Sequence, residues 1–143
     1  MITNNIRNAK YNNKGFTLLE VMIAVFILAV GLLGLANLQV LSLKNNHSAQ
    51  YRTSATVIAY DIIDRMRLNR TADYSIAITA TPSGSTLKDT DLIAWKTVLS
   101  NELPAGDGSV TFSGDTVTVV VQWDDSRGSD GNTTQSFTVS TER

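Results

Sequence analysis

Few residues in this 143-residue chain have chemistry to offer. Glu20 is the only charged residue between Phe16 and Leu43, near the start of the run K-G-F-T-L-L-E-V-M-I-A-V-F-I-L-A-V-G-L-L-G, Lys14 to Gly34. A lone carboxylate costs up to about 3 kcal/mol at mid-bilayer and less near the interface, so the chemistry open to it is pairing with a cation. A second group of oxygen donors lies in Asp124-Asp125-Ser126-Arg127-Gly128-Ser129-Asp130-Gly131-Asn132. That composition suits calcium, but the EF-hand spacing is absent and Arg127 sits among the acids, so a solvated hairpin loop is expected. His47 is the only histidine, at the polar edge of an apolar helix, and no Ser-His-Asp triad is expected through it. There is no cysteine, which excludes thiolate zinc sites, cysteine nucleophiles and disulfides. A phosphate loop, an H-E-x-x-H pair and a dinucleotide fingerprint are also missing from the sequence. The expectation is no enzyme, no cofactor and no metal.

The element that must carry Glu20 is a helix. At about 1.5 Å per residue, Phe16–Leu43 extends roughly 42 Å, more than the ~30 Å of a bilayer's hydrocarbon core. Residues 1–15 hold Arg7, Lys10 and Lys14 and no acid; the whole chain is net −1, so the rest is net −4. A basic segment ahead of an apolar helix keeps that end cytoplasmic, which places the remainder across the membrane. The acidic remainder argues against a nucleic-acid partner, which would need clustered Lys and Arg.

Three readings of this N-terminus compete. A secretory signal peptide would be cut after the apolar run, and Gly34-Leu35-Ala36 offers a small-x-small site. Glu20 interrupts its front, however, and the run continues through Leu38, Val40, Leu41 and Leu43. A plain single-pass anchor explains the length but not Glu20. The third reading comes from a resemblance given below.

Beyond Lys44-Asn45-Asn46-His47 the helical pattern resumes. Ala55, Ile58, Ala59, Ile62 and Met66 form one apolar stripe, with Asp61, Asp64, Arg65 and Arg67 on or near the other face. Asp61 and Arg65 are a favourable i,i+4 pair. One nearly continuous helix is expected from about Phe16 to about Asn69. Thr71 to Lys88 is expected to be loop, with one short strand at most. Asp89 to Leu103 has the stripe Leu92, Trp95, Leu99 and Leu103 of a second helix, capped by Asp89 or Asp91 and stopped by Pro104. After the turn Pro-Ala-Gly-Asp-Gly the pattern alternates. Val110–Phe112, then Val117, Val119, Val121 and Trp123 on one face, then Phe137 and Val139 read as a three-stranded antiparallel meander. The amphipathic half of the long helix is its expected lid, and Trp95 and Trp123 are expected in the core. Gly31 and Gly34 are spaced G-x-x-G, not the G-x-x-x-G of close helix dimers, and ordinary membrane-helix glycines and a close-packing role stand level.

The residues Gly15-Phe16-Thr17-Leu18-Leu19-Glu20, behind a basic leader and ahead of an apolar helix, resemble the prepilin signal of type IV pilins and type II secretion pseudopilins. The resemblance implies a prepilin peptidase cut between Gly15 and Phe16, N-methylation of Phe16, and Glu20 as the fifth residue of the mature chain, receiving the α-amine of a neighbour during assembly. Val30–Leu35, Asp64–Arg70, and the run Trp95, Leu103-Pro104, Gly106, Gly108-Ser109-Val110 and Trp123 are similar to minor pilins of the PilV family, the type IV pilus modification proteins. The tryptophan run is shared with the pseudopilin GspI. Unlike many major pilins, the chain has no C-terminal disulfide loop and no Pro in its apolar helix.

The resemblance implies the type IV pilin fold, an α+β arrangement of a long N-terminal helix on a small antiparallel sheet. It divides the chain into a leader (1–15), a membrane and filament-core helix (16–43) and a periplasmic globular domain (44–143). It implies other minor pilins, the major pilin, the prepilin peptidase and the inner-membrane assembly platform as partners, and no small-molecule substrate. The expected function is a minor pilin that primes assembly and joins the fibre at or near its tip. The alternatives are a GspI-like pseudopilin and a membrane-tethered ligand-binding module.

Overall fold

The computed structural model describes residues 15–128 and 131–142. The chain divides into two compact units, Met1–Gln39 and Val40–Arg143. The leader expected at 1–15 lies outside the described residues except for Gly15.

Helix α1 is a single 51-residue element, Leu18–Leu68. Its first half is apolar on every side, so no face prefers burial, and every residue from Gly15 to His47 is exposed. It is long and apolar enough to cross a membrane. The second half is amphipathic as its spacing requires. Ala55, Ile58, Ala59, Ile62 and Met66 are all buried, and Ile63 joins them.

Helix α2 is Leu87–Glu102. Its start differs from the expectation that Asp89 or Asp91 caps it. Thr86 is the cap: its hydroxyl accepts from the Asp89 N–H, and Asp89 answers by accepting from the Thr86 N–H, a capping box. Asp89 therefore works from inside the first turn, and its carboxyl is held below the usual range by hydrogen bonds from the Thr86 hydroxyl and backbone. The end is as read. Leu103 is extended, as a residue ahead of proline must be, and Pro104 follows. In the turn after it, Ala105 takes a positive φ of 48°. A methyl on Gly106 would run into the Leu99 carbonyl.

Strands β1 (Asp107–Ser113), β2 (Thr116–Trp123) and β3 (Gln135–Glu142) form an antiparallel meander in the order β1-β2-β3. The register runs Val110↔Val119 and Val119↔Val139, so the valines share a layer. The expected strand between Thr71 and Lys88 is a single bridge, Ile76 to Val110. Lys96 of α2 secures that segment: its ammonium donates to the Ala77 and Ile78 carbonyls and pairs with Asp107 of β1.

The second unit has one core, built from the buried face of α1, from Leu92, Trp95, Leu99 and Leu103, and from the inward residues of the sheet. Trp95 is fully buried and its indole N–H donates to the Ile58 carbonyl at 3.0 Å, joining α2 to α1. Trp123 is buried as well. The architecture is thus α+β, a long N-terminal helix on a small antiparallel sheet, like that of the type IV pilins.

Candidate functional site at the start of α1

Thr17 initiates α1. Its hydroxyl accepts from the Glu20 N–H at 3.2 Å, and its carbonyl accepts from Glu20 and Val21. Thr17 is therefore the N-cap, and Glu20 sits in the first turn, where the unsatisfied N–H groups of the helix end favour a negative charge. The pattern Thr-x-x-Glu of a capping box is present in the sequence, and the expectations above overlooked it.

The local helix explains why Glu20 is tolerated where it stands, but it leaves the side chain exposed. Helical spacing puts Ala24, Ile27, Gly31 and Gly34 on the same side of α1. A shallow apolar hollow runs along this side, lined by Phe16, Glu20, Val21, Ala24, Val25 and Leu28. Phe16 is 82 % exposed and Leu18 80 %. Once lipid or another helix covers these residues, Glu20 is a desolvated anion in need of a cation.

The glycines here are not demanded by the chain's own fold. A methyl at Gly15, Gly31 or Gly34 would meet no atom within 4 Å. Gly108, by contrast, lies against Trp95 and the Val120 carbonyl, and Gly128 against Ser48 and Asp125.

The other candidates fall elsewhere. His47 is exposed and its ring lies 6.4 Å from that of Tyr51. Among the described residues nothing hydrogen-bonds its imidazole. The loop after β2 joins it to β3 as the expected hairpin loop, but it is not solvated throughout. Asp125 is only 2 % exposed, and its Oδ2 accepts from the Ser48 hydroxyl at 2.8 Å. The Gly128 N–H closes the turn onto the Asp125 carbonyl, and the missing Gly128 side chain makes room for the carboxylate. Asp124 is half-buried and accepts instead from the Ser126 backbone N–H, which holds its carboxyl below the usual range. Ser129 and Asp130 lie outside the described residues. Among the described residues no three acidic, histidine or cysteine side chains are gathered to hold a metal.

Away from these, one polar network was not foreseen. The predicted pair is present: Arg65 donates Nε–H to Asp61 at 2.9 Å. The same guanidinium reaches Asp91 of α2 at 3.0 Å, and Asp91 also accepts from the Tyr74 hydroxyl at 2.8 Å. Asp91, first of all, and then Asp61 hold the Arg65 pKa above its ordinary value. Burial, and after it the bond to Asp91, pushes the Tyr74 hydroxyl up.

Residues 10–36 match the sequence family described as the prokaryotic N-terminal methylation motif. The matched segment contains Gly15, Phe16 and Glu20 together with most of the apolar run, and it supports a type IV pilin-like protein. No curated protein matches the chain. No solved structure matches it either.

Proposed function

We propose that this chain is a minor pilin of the type IV pilus, resembling the PilV family, and that it acts by polymerisation and not by catalysis. One observation carries the reading: Glu20 is the sole charge between Phe16 and Leu43, the apolar half of α1, which is exposed on every side. Among the described residues no cation meets this carboxylate, which has much to gain from a neighbour's. The methylation motif supplies that cation by implication. Cleavage between Gly15 and Phe16 frees an α-amine on Phe16, which the peptidase then methylates. The amine of an incoming subunit meets Glu20 of the previous one, and each makes the other tolerable in a dry helix bundle while setting the register.

The apolar half of α1 then serves twice. It first holds the protein in the inner membrane, N-terminus cytoplasmic and the globular unit periplasmic. It later becomes part of the filament core. The uninterrupted apolar helix without proline, and the absence of cysteine, favour a minor over a major subunit. In this reading the protein primes assembly with other minor pilins and stays at or near the tip.

The test is Glu20→Gln, which keeps the shape and the hydrogen-bonding side chain but removes the charge. Processed protein should accumulate in the inner membrane and be lost from sheared surface fibres. Wild-type levels of the variant in the fibres would overturn the reading. Deleting the gene separates the two assembly systems that share the motif. Loss of twitching motility with exoprotein secretion intact is the pilus outcome, and the reverse assigns the chain to type II secretion.

A further inference from the structure

One end of the sheet carries a polar cleft that filament assembly does not use. Asp107, which opens β1, and Gln122, near the end of β2, are cross-strand partners there. Asp124 follows β2, and Thr133 and Thr134 stand just ahead of β3. With Ile78, Thr79 and Ala105 these residues line a cleft of about 270 Å³. That is the small end for a ligand pocket and suits a single ring.

The walls of the cleft are tied together. Lys96 takes the Ile78 carbonyl at 2.8 Å and pairs with Asp107, which fixes the 77–79 segment against β1. The Asp124 N–H donates to the Pro104 carbonyl at 2.8 Å, which fixes the end of β2 against the turn that carries Ala105. Ala105 has a φ of 48°, a left-handed conformation that a non-glycine residue keeps where its surroundings impose it, and ligand clamps are enriched in such residues. Trp123 belongs to the same lining, and its buried indole N–H has no hydrogen-bond partner among the described residues. A buried donor left unpaired costs about 1–3 kcal/mol, which an incoming acceptor recovers.

The composition of the lining selects a ligand class. Among the described residues it has no Lys, Arg or His, so a phosphate, sulfate or carboxylate finds no counter-charge. Lys96 commits its donors to the Ala77 and Ile78 carbonyls and to Asp107, and that pairing leaves Asp107 little attraction for a second cation. Ile78 and Ala105 are too small an apolar wall for a lipid chain. What the cleft offers is hydroxyls that give and accept, an amide that does both, and carboxylates with lone pairs beyond those already used. A neutral ring bearing several hydroxyls matches all of these.

We infer that this cleft binds the terminal ring of a neutral glycan. Asp107, Gln122 and Asp124 bond its hydroxyls, and the Trp123 N–H donates to one of its oxygens. On a surface fibre the site would give the subunit an adhesive role, but the site itself does not rest on the pilin reading.

The test uses the full chain in detergent on an array of oligosaccharides with neutral, sialylated and sulfated ends, with short peptides beside them. Binding should fall on oligosaccharides that share one neutral terminal sugar. The methyl glycoside of that sugar is then titrated against the chain carrying ¹⁵N-labelled tryptophan. The indole N–H resonance of Trp123 should shift as it gains an acceptor, while that of Trp95, already bonded to Ile58, stays. Gln122→Ala and Asp124→Asn should each lower the affinity about tenfold, with the unfolding midpoint unchanged. Binding confined to sialylated or sulfated ends or to peptides, or no binding on the array, would overturn the assignment. So would a Trp123 resonance unmoved at saturation, or undiminished affinity in both variants. None of these readouts depends on Glu20.

Discussion

Arg65 and Asp91 lie 26 residues apart and meet across 3.0 Å, joining the exposed side of α1 to the start of α2. Asp91 is nearly buried and holds the Tyr74 hydroxyl on its other oxygen. The contact explains why an arginine stands here. Its fork can bond Asp61 one turn back and Asp91 across the gap at the same time. Asp91→Ala would leave two donors facing a partly buried gap. It should destabilise the second unit by about 2 kcal/mol, less than a fully buried pair because Arg65 is partly solvated. Denaturant unfolding of the full chain in detergent, followed by tryptophan fluorescence, measures it.

Tyr74 gives the network a pH signature. Its folded pKa is raised, so the contribution of the neutral hydroxyl is complete below the ordinary tyrosine value of about 10 and is lost as pH climbs through the raised value. Stability should therefore fall above about pH 10. Tyr74→Phe should lose about 1 kcal/mol at neutral pH and show a shallower alkaline decline. Unfolding curves taken between neutral and alkaline pH decide this.

Thr17 and Glu20 can be separated by substitution. Thr17→Ala removes the cap and costs local helix stability of about 1 kcal/mol. It leaves the carboxylate, so fibre incorporation should drop only partly. Glu20→Gln leaves the cap, which uses the Glu20 backbone, and should abolish incorporation. Equal losses in the two variants would make Glu20 a helix-start residue and nothing more.

Gly15 has open space around it, so Gly15→Val should leave folding unchanged. If the peptidase cuts after this residue, the variant should instead accumulate as uncleaved precursor. Band position on a denaturing gel distinguishes the two forms, and normal processing would move the cut elsewhere.

Gly128 is the opposite case. A methyl there would run into the Ser48 hydroxyl and the Asp125 carboxyl, so Gly128→Ala must displace one of them. The expected cost is about 1–3 kcal/mol, with faster limited proteolysis within the loop from Asp124 to Asn132. A wild-type cleavage rate would show that the loop yields without strain.

Much of this molecule is legible in its residues one after another. Local periodicity sets which face of each element is apolar. The stripe of α1 from Ala55 to Met66, the stripe of α2, and Val117, Val119 and Val121 of β2 are buried as their spacing requires. The exposed apolar start of α1 and its lone Glu20 are equally a matter of composition, and Pro104 ends α2 by sterics alone. What the order of residues does not carry is which polar groups meet across the fold. Asp91, read as a possible cap of α2, lies inside the helix and bonds Arg65 and Tyr74, while the local capping box of Thr86 and Asp89 starts the helix. Asp125 looked like one acid among several in a solvent loop. It is buried because Ser48, 77 residues earlier, reaches its Oδ2 and Gly128 leaves it room. The bridge from Ile76 to Val110 on the outer side of β1 is likewise announced by no local pattern. Periodicity acts within a few turns of chain, and so can be read directly. Hydrogen-bond partners and sheet edges depend on elements brought together from far apart, and only the folded chain decides them.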